Sequence, residues 1–241
     1  MIRNNYASNK ARRKDWTGQL DFAAGDRLIN AMPLDPTRTA QGRAADDTRP
    51  NVLSREFYRR DPREVAPDLL NKVLVACDGR SGRIVETEAY CGAFDAAAHT
   101  YRGKTARNAT MFGEPGLLYV YFTYGMHWCC NAVCGDEGEG VAVLLRALAP
   151  LDGLEAMRAA RPHCRTDRDL CRGPARLCQA MGIARAQDGL DLVDGVGGFA
   201  IVDDGVPPPS DPVVTSRVGI RHAAEQPWRW YVPDDPHVSR K

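Results

Sequence analysis

The sequence predicts a single-domain α+β protein with a curved antiparallel β-sheet, surrounding helices and a protruding β-hairpin. Short apolar or alternating segments come in pairs that are separated by turn residues, as in strand hairpins. Segments with apolar residues at helical spacing lie before and after these hairpins. Strands grouped apart from helices are typical of the α+β class. We place the domain at residues 51–241.

Each element is predicted from its own local signal. Ser54 can cap the first helix, and Asp61-Pro62 can start the second. Residues 91–116 show no periodicity, and a loop of this length in a compact domain predicts a functional role. The predicted strands are 73–77, 83–90, 117–122, 126–133, 141–148 and 199–202, with closing strands at 216–220 and 227–232. The later helical segments are 151–160 and 169–181, and the second of these is either one helix or a helix pair.

The first 50 residues differ from the rest of the chain in composition. They mix Asn, Asp, Arg, Pro and Gly without a sustained apolar period. Such a segment does not offer enough apolar surface to offset the entropy of ordering it. Residues 1–50 are therefore predicted to form a flexible N-terminal tail.

The overall composition is ordinary for a soluble protein, with 44% hydrophobic and 26% charged residues among 241. No apolar run approaches the roughly 20 residues that span a bilayer, and the chain does not begin with the apolar stretch of a secretory signal. We expect no membrane partner. The expected location is the cytoplasm, with nucleoid association, in a bacterium, or the nucleus in a eukaryote.

Eight cysteines raise the question of zinc or disulfides. Their spacing contains no C-x-x-C pair, which zinc sites usually show. Free cysteine is often buried as a small apolar side chain. The spacing therefore predicts free, buried thiols and no metal site.

Basic residues are concentrated in residues 158–185, which hold seven arginines and two acids. The net charge of +1 does not indicate a nucleic-acid partner by itself, because the distribution of charge matters more than its sum. This segment is either a surface that faces phosphates or a solvated helix face.

Polar side chains load the predicted strand 83–90. Alternation along a strand places Ile84, Glu86, Glu88 and Tyr90 on one face. Two carboxylates inside a core are costly unless they find partners or perform chemistry. The strand therefore predicts a reactive acid beside an aromatic ring.

The predicted hairpin of residues 117–133 carries the second group of functional candidates. Alternation directs Tyr119 and Tyr121 to the same face. Tyr124 comes just before Gly125, which permits a sharp turn. The two segments together predict a pocket with an acid, aromatic walls and a ring that projects from a hairpin tip.

The motifs that contain these residues resemble the alkyladenine (3-methyladenine) DNA glycosylase family, from about residue 53 to residue 240. Members of that family remove damaged purines from duplex DNA by flipping them into a pocket, without a metal or organic cofactor. The resemblance implies double-stranded DNA with damaged purines as the partner, and we expect a monomer. It rests on residues 83–90, 96–99, 107–108, 111–112, 115–121, 124–126, 144–148, 169–174 and 217–220.

The resemblance implies a role for each residue of the catalytic pair and of the base slot. Glu88 corresponds to the general base that activates water, and Arg146 to the arginine that orients this water. An arginine within an apolar strand would otherwise be an unpaired buried charge, which pairing with Glu88 would avoid. Tyr90 and Tyr121 correspond to the rings that sandwich the flipped base, and His99 lines the same slot.

Further roles at the hairpin also follow from the resemblance. Tyr124 corresponds to the residue that enters the minor groove and fills the gap in the stack, with Met126 beside it at the tip. Asn131 corresponds to the residue whose side chain crowds the 2-amino group of guanine. The loop 100–105 is about one residue shorter than in mammalian members of the family.

Two other functional classes compete with this interpretation. A non-catalytic DNA- or RNA-binding module would need Tyr124 and the arginines, but not Glu88 and Arg146 together. A glycoside hydrolase would use Glu86 and Glu88 as its carboxylate pair. Glu86 could equally support the base or cap a helix. Since the matched pocket motifs contain no lysine, we expect a monofunctional glycosylase without Schiff-base chemistry.

Overall fold

The computed structural model describes residues 51–123 and 125–240. The predicted tail, residues 1–50, lies outside the described residues, as does Tyr124. These described residues contain ten strands and four α-helices. The strands are β1 (Asn51–Val52), β2 (Val73–Ala76), β3 (Ser81–Tyr90), β4 (Leu117–Thr123), β5 (His127–Cys134), β6 (Val141–Pro150), β7 (Leu190–Asp191), β8 (Phe199–Asp203), β9 (Val213–Thr215) and β10 (Arg229–Tyr231), and the helices are α1 (Arg55–Tyr58), α2 (Pro62–Asp68), α3 (Leu154–Ala160) and α4 (Pro174–Met181).

The strands form one curled antiparallel sheet in the order β1-β8-β2-β3-β6-β5-β4-β7. Strand β3 is the branch point, since its first half pairs with β2 and its second half with β10, while β6 pairs along its other edge. The α+β class, the curved antiparallel sheet and the β4–β5 hairpin are confirmed. The long loop between β3 and β4 contains two short 3₁₀ helices, Gly92–Phe94 and Ala109–Phe112.

The main hydrophobic core lies where the helices pack on the sheet. Val65 and Leu69 from the α2 region, Met157 of α3 and Leu177 of α4 are fully buried in it. All eight cysteines are free, and six of them are buried, so the predicted free thiols are confirmed. Asp61 caps α2 by accepting a hydrogen bond from the Arg63 backbone N–H, whereas Ser54 makes no such bond with its side chain.

A β-bulge in β3 changes which of its side chains share a face of the sheet. Ile84 pairs with Leu148 and Glu86 pairs with Ala147, so Val85 is an extra residue in β3. The bulge turns Ile84 into the main core on the helix side, away from Glu86. The prediction that Ile84 shares a face with Glu86, Glu88 and Tyr90 was therefore wrong, because regular alternation does not continue through a bulge.

The predicted closing strand at residues 216–220 is also wrong. The strand in this region is β9, Val213–Thr215, which pairs with β10, and residues 216–220 leave the sheet as an irregular segment. Gly219 has a φ of +78°, a conformation that glycine adopts readily and other residues rarely do. The closing strand predicted at 227–232 is present as β10.

No helix within residues 51–123 and 125–240 has the length and apolar character needed to cross a membrane.

Candidate active site

Four neighbouring strands carry a row of paired residues across the sheet. Glu88 on β3 pairs with Leu144 on β6, which pairs with Asn131 on β5, which in turn pairs with Tyr119 on β4. Directly paired residues on adjacent antiparallel strands point to the same face. The sheet therefore gathers an acid, an amide and an aromatic ring on one surface, although they are distant in the sequence.

A cavity of about 210 Å³ opens on this surface. A dry protein cavity of roughly 150 Å³ can hold benzene, so this one has room for a single bicyclic base. Of the predicted site residues, Tyr90, His99, Tyr121, Asn131 and Arg146 line it. The remaining lining residues are Ala97, Met111, Tyr119, Thr123, Cys129, Leu144, Pro174, Val218, Gly219 and Ile220.

Glu88 is fully buried and does not itself line this cavity, but its bonding partners do. Its Oε1 lies 3.0 Å from Nη1 of Arg146 and accepts a hydrogen bond of 2.7 Å from the backbone N–H of Val218. Its Oε2 accepts a hydrogen bond of 2.9 Å from the Tyr90 hydroxyl. All three partners line the cavity. A carboxylate offers about four acceptor sites, and protein groups bond to three of those of Glu88.

Arg146 is the buried cation of the site and is shared by two acids. Besides Glu88, it donates from Nε to Glu86 over 2.8 Å. Burial alone would lower the pKa of Arg146, but the charges of Glu88 and Glu86 raise it above its ordinary value. The predicted ion pair between Arg146 and Glu88 is present, and Arg146 lies in a bulge of β6 opposite Glu86 and Thr87.

Glu86 is fully buried but faces away from the cavity, toward the end of the chain. It accepts hydrogen bonds from Nε of Arg229 over 2.7 Å and from the backbone N–H and hydroxyl of Ser239 over 2.7 and 2.9 Å. Burial would raise the pKa of Glu86, but Arg146, Arg229 and Ser239 hold it below its ordinary value. With its oxygens occupied in this way, Glu86 is not available as the second carboxylate of a glycoside hydrolase.

Aromatic rings form the walls of the cavity. Tyr119 and Tyr121 are stacked with centroids 5.4 Å apart and 19° between their planes, as predicted from their shared face. His99 contacts Tyr121 edge-on at 4.5 Å, and its Nδ1 lies 3.2 Å from the Tyr119 hydroxyl. Burial raises the pKa of Tyr121 well above its ordinary value, with a further contribution from Cys129, and burial raises that of Tyr119 to about 12. Both phenols are therefore neutral.

Apart from Arg146, the polar side chains that line the cavity are uncharged. Burial lowers the pKa of His99 below its ordinary value, and the neighbouring Arg107 lowers it further, so the imidazole is neutral at pH 7. Burial and the adjacent Glu88 carboxylate raise the pKa of Tyr90. Asn131 is buried, and its side-chain nitrogen lies 3.5 Å from the backbone oxygen of Tyr119.

The tip of the β4–β5 hairpin is exposed and apolar. Met126 is 69% exposed, and Phe122 packs against Trp128 on the same hairpin with centroids 4.8 Å apart. Exposed apolar side chains at a turn are a feature that an interaction surface explains. Tyr124, the other residue predicted for this tip, lies outside the described residues.

Most of the arginines in residues 158–185 make bonds within the protein. Arg158 pairs with Asp167, and Arg161 donates to the backbone oxygens of Asp169 and Leu170. Arg172 donates to the backbone oxygen of Val238. These contacts stabilise local loops, and they favour the alternative of a solvated face over a surface that faces phosphates.

Residues 217–220 belong to the motifs of the family resemblance, but sequence reasoning assigned them no place in the site. The backbone N–H of Val218 reaches Glu88, and Gly219 and Ile220 line the cavity. Local periodicity does not reveal the bond between Val218 and Glu88, since the two residues are 130 positions apart. Among residues 51–123 and 125–240, no three His, Cys, Asp or Glu side chains form a group that could hold a metal ion.

The chain matches a known protein family over most of its length. The family model described as Methylpurine-DNA glycosylase (MPG) matches residues 56–236. The chain belongs to this family. It is therefore a hydrolase, a monofunctional purine-DNA glycosylase, and it acts in the repair of alkylation damage in DNA.

Relatives from distant organisms match this glycosylase over most of their length. Proteins with the name "Putative 3-methyladenine DNA glycosylase" occur in Burkholderia cenocepacia, Streptomyces avermitilis and Methanocella arvoryzae. The first is 66% identical over 188 residues, which cover 78% of this chain and 91% of the relative. The second is 47% identical over 201 residues, covering 81% and 93%, and the third is 45% identical over 196 residues, covering 79% and 96%.

Proposed function

We propose that this glycosylase flips alkylated or deaminated purines, of the 3-methyladenine, hypoxanthine and ethenoadenine class, out of duplex DNA. It then hydrolyses the N-glycosidic bond with a water that Glu88 activates and leaves an abasic site. The observation that carries the proposal is the bonding of Glu88 to three groups that all line a cavity of one-base size.

The ring walls support recognition of varied purines. Stacking on aromatic side chains is worth roughly 1–3 kcal/mol per base and tolerates differences between bases. A flipped purine would lie between Tyr90 and Tyr121, with His99 at its side. Since His99 is neutral at pH 7, it does not repel a purine that carries a positive charge after alkylation.

The chemical step follows from the groups around Glu88. A water at the remaining acceptor site of the carboxylate gives its proton to Glu88 while its oxygen attacks C1′ of the sugar. The bond between C1′ and the base breaks, and the bonding electrons leave with the base. An alkylated, cationic purine departs as a neutral molecule, whereas a neutral lesion also needs a proton. Arg146 orients the water and compensates the charge of the buried carboxylate.

Selection against normal bases and entry into the duplex involve other residues. The buried Asn131 side chain would clash with the 2-amino group of guanine, so Asn131→Ser should admit 2-amino purines, as measured by their excision rate.

Tyr124 and Met126 would fill the gap that the flipped base leaves. Tyr124→Ser should therefore weaken affinity for a lesion duplex more than it slows bond cleavage.

The domain boundary and the oligomeric state are parts of the same proposal. Residues 51–241 form the catalytic domain, and the chain acts as a monomer. A fragment that begins at residue 51 should excise lesions at the rate of the full chain, and both should sediment as monomers. A large loss of activity in the fragment would contradict the boundary.

The decisive experiment uses duplex oligonucleotides that contain one hypoxanthine, one ethenoadenine or one alkylated purine. Alkali cleaves the DNA only where a base has been removed, so strand breaks report excision. The full chain should give breaks at the lesion, and an undamaged duplex should give none. Borohydride added during the reaction should trap no covalent adduct. Absence of excision on all three duplexes, or a trapped adduct, would overturn the proposal.

A further inference from the structure

A buried arginine stands behind Tyr90, outside the cavity. The guanidinium of Arg217 lies over the Tyr90 ring at 4.7 Å from the centroid and over Trp228 at 5.0 Å, so it is enclosed between two rings. Its side chain is fully buried. Arg217 does not line the cavity that Tyr90 lines, so its contact with the Tyr90 ring lies outside the slot.

The charge of Arg217 is matched by one carboxylate. Nη1 and Nη2 donate to the two oxygens of Asp95 over 2.5 and 2.8 Å, and the Asp95 side chain is also fully buried. Nη1 also donates to the Ala89 backbone oxygen over 2.9 Å. Asp95 in turn accepts from the backbone N–H groups of Cys91 and Ala97, which ties the pair to the cavity wall.

The electrostatics of this arrangement concern the charge of the base. A cation is attracted by the face of an aromatic ring, and an unmatched second cation on the opposite face would oppose that attraction. An arginine alone behind Tyr90 would therefore disfavour a cationic purine in the slot. Paired with Asp95, it has no net charge and still fixes the position of the ring.

We propose that the Arg217–Asp95 pair determines specificity for the charge of the lesion, with Asp95 cancelling the guanidinium so that Tyr90 can stack on a cationic purine. The inference rests on the proposed function, because it requires that a purine enters the slot beside Tyr90. The pair does not touch the base, and it acts through the ring.

The test compares two bases of the same shape and different charge. Duplexes with one 3-methyladenine, which is cationic, or one 3-methyl-3-deazaadenine, which is neutral, are bound to protein that carries Glu88→Gln and therefore leaves the base in place. The measured quantity is the ratio of the two dissociation constants. This ratio does not depend on the fraction of folded protein, because the same active sites bind both duplexes.

Two single variants and the corresponding double variant, each made in the Glu88→Gln protein, have different expected ratios of the two dissociation constants. Asp95→Asn leaves the guanidinium unmatched and should reduce the preference for the cationic base about tenfold. Arg217→Gln leaves the carboxylate unmatched and should shift the ratio in the opposite direction. The double variant Asp95→Asn/Arg217→Gln removes both charges and should return the ratio to within about twofold of the parent.

The matched control is Asp204→Asn, which removes the carboxylate partner of Arg83. Arg83 lies on β3, as Tyr90 does, but near the opposite end of the strand. This variant should keep the parental ratio. Ratios within about twofold of the parent in every single variant that folds would overturn the inference while the proposed function stands. A parent that binds neither lesion duplex more tightly than undamaged DNA would overturn both.

Discussion

Glu86 and Glu88 are the same residue type on the same strand, two positions apart, and both are fully buried. Glu88 accepts only from groups that line the cavity. Glu86 accepts from Arg229 and Ser239, which do not line it, and shares Arg146 with Glu88. One side of this buried cluster, around Glu88, thus bonds to residues that line the cavity, and the other side, around Glu86, bonds to residues near the end of the chain.

The difference shows that burial and charge alone do not identify a catalytic acid. Each carboxylate is compensated by arginine, so each can remain in the interior without the full cost of desolvation. The distinguishing feature is where the donors to each carboxylate lie. Two of the residues that donate to Glu86, Arg229 and Ser239, lie outside the cavity lining, whereas all three partners of Glu88 line the cavity.

The largest expected effect comes from the same substitution at the two positions. Glu88→Gln should reduce excision of an alkylated or deaminated purine by about 10²–10⁴-fold, because general-base catalysis is lost, with lesion affinity largely kept. Glu86→Gln should retain most of the rate of its folded fraction. Single-turnover excision with excess enzyme measures both, and equal losses in the two variants would contradict the division of roles.

Glu86→Gln, which should change the excision rate little, should cause a large loss of folding stability. Glu86→Gln leaves Arg229 without its buried carboxylate partner, and breaking a buried ion pair costs about 3–5 kcal/mol. Glu137→Gln, on the exposed turn between β5 and β6, is the control and should change the free energy of unfolding by less than about 0.5 kcal/mol. Urea denaturation measures the free energy of unfolding, and a stable Glu86→Gln variant would show that the cluster is not structural.

The pH dependence of the unfolding free energy provides a further test of the structural role of Glu86. The pKa of Glu86 is lower in the folded protein than its ordinary value of 4.5. Its stabilising contribution is therefore complete above pH 4.5 and is lost as the pH falls through the lowered folded value. The difference in unfolding free energy between wild type and Glu86→Gln should therefore become smaller as the pH falls below 4.5. A gap that stays constant down to pH 3 would exclude the linkage.

The smallest effects come from removing one hydroxyl beside each carboxylate. Tyr90→Phe removes the hydroxyl that donates to Glu88, one of its three bonding partners. Ser239→Ala removes the hydroxyl that donates to Glu86, while the backbone N–H of residue 239 still donates to Glu86. Each loss is worth about 1 kcal/mol. Tyr90→Phe should slow excision several-fold, and Ser239→Ala should lower only the unfolding free energy. The reverse assignment of effects would break the comparison.

Local patterns were sufficient for much of the sheet. The strands β2 to β6 follow from their apolar segments and turns, and the stacking of Tyr119 on Tyr121 follows from simple alternation. An acid beside the buried Arg146 was expected from the cost of an unpaired charge, and the family resemblance indicated Glu88 as that acid. The roles of these residues remain predictions that the proposed experiments test.

The amino-acid sequence by itself determined the α+β class, the order of the hairpins and the residue types of the slot, because these depend on local periodicity and turn chemistry. Only the tertiary structure decided which carboxylate faces the cavity. The bulge at Val85 depends on pairing between strands, and the partners of Glu86 lie up to 153 residues away. Contacts of this kind form only when the whole sheet is assembled, so the local pattern around Glu86 and Glu88 cannot distinguish them.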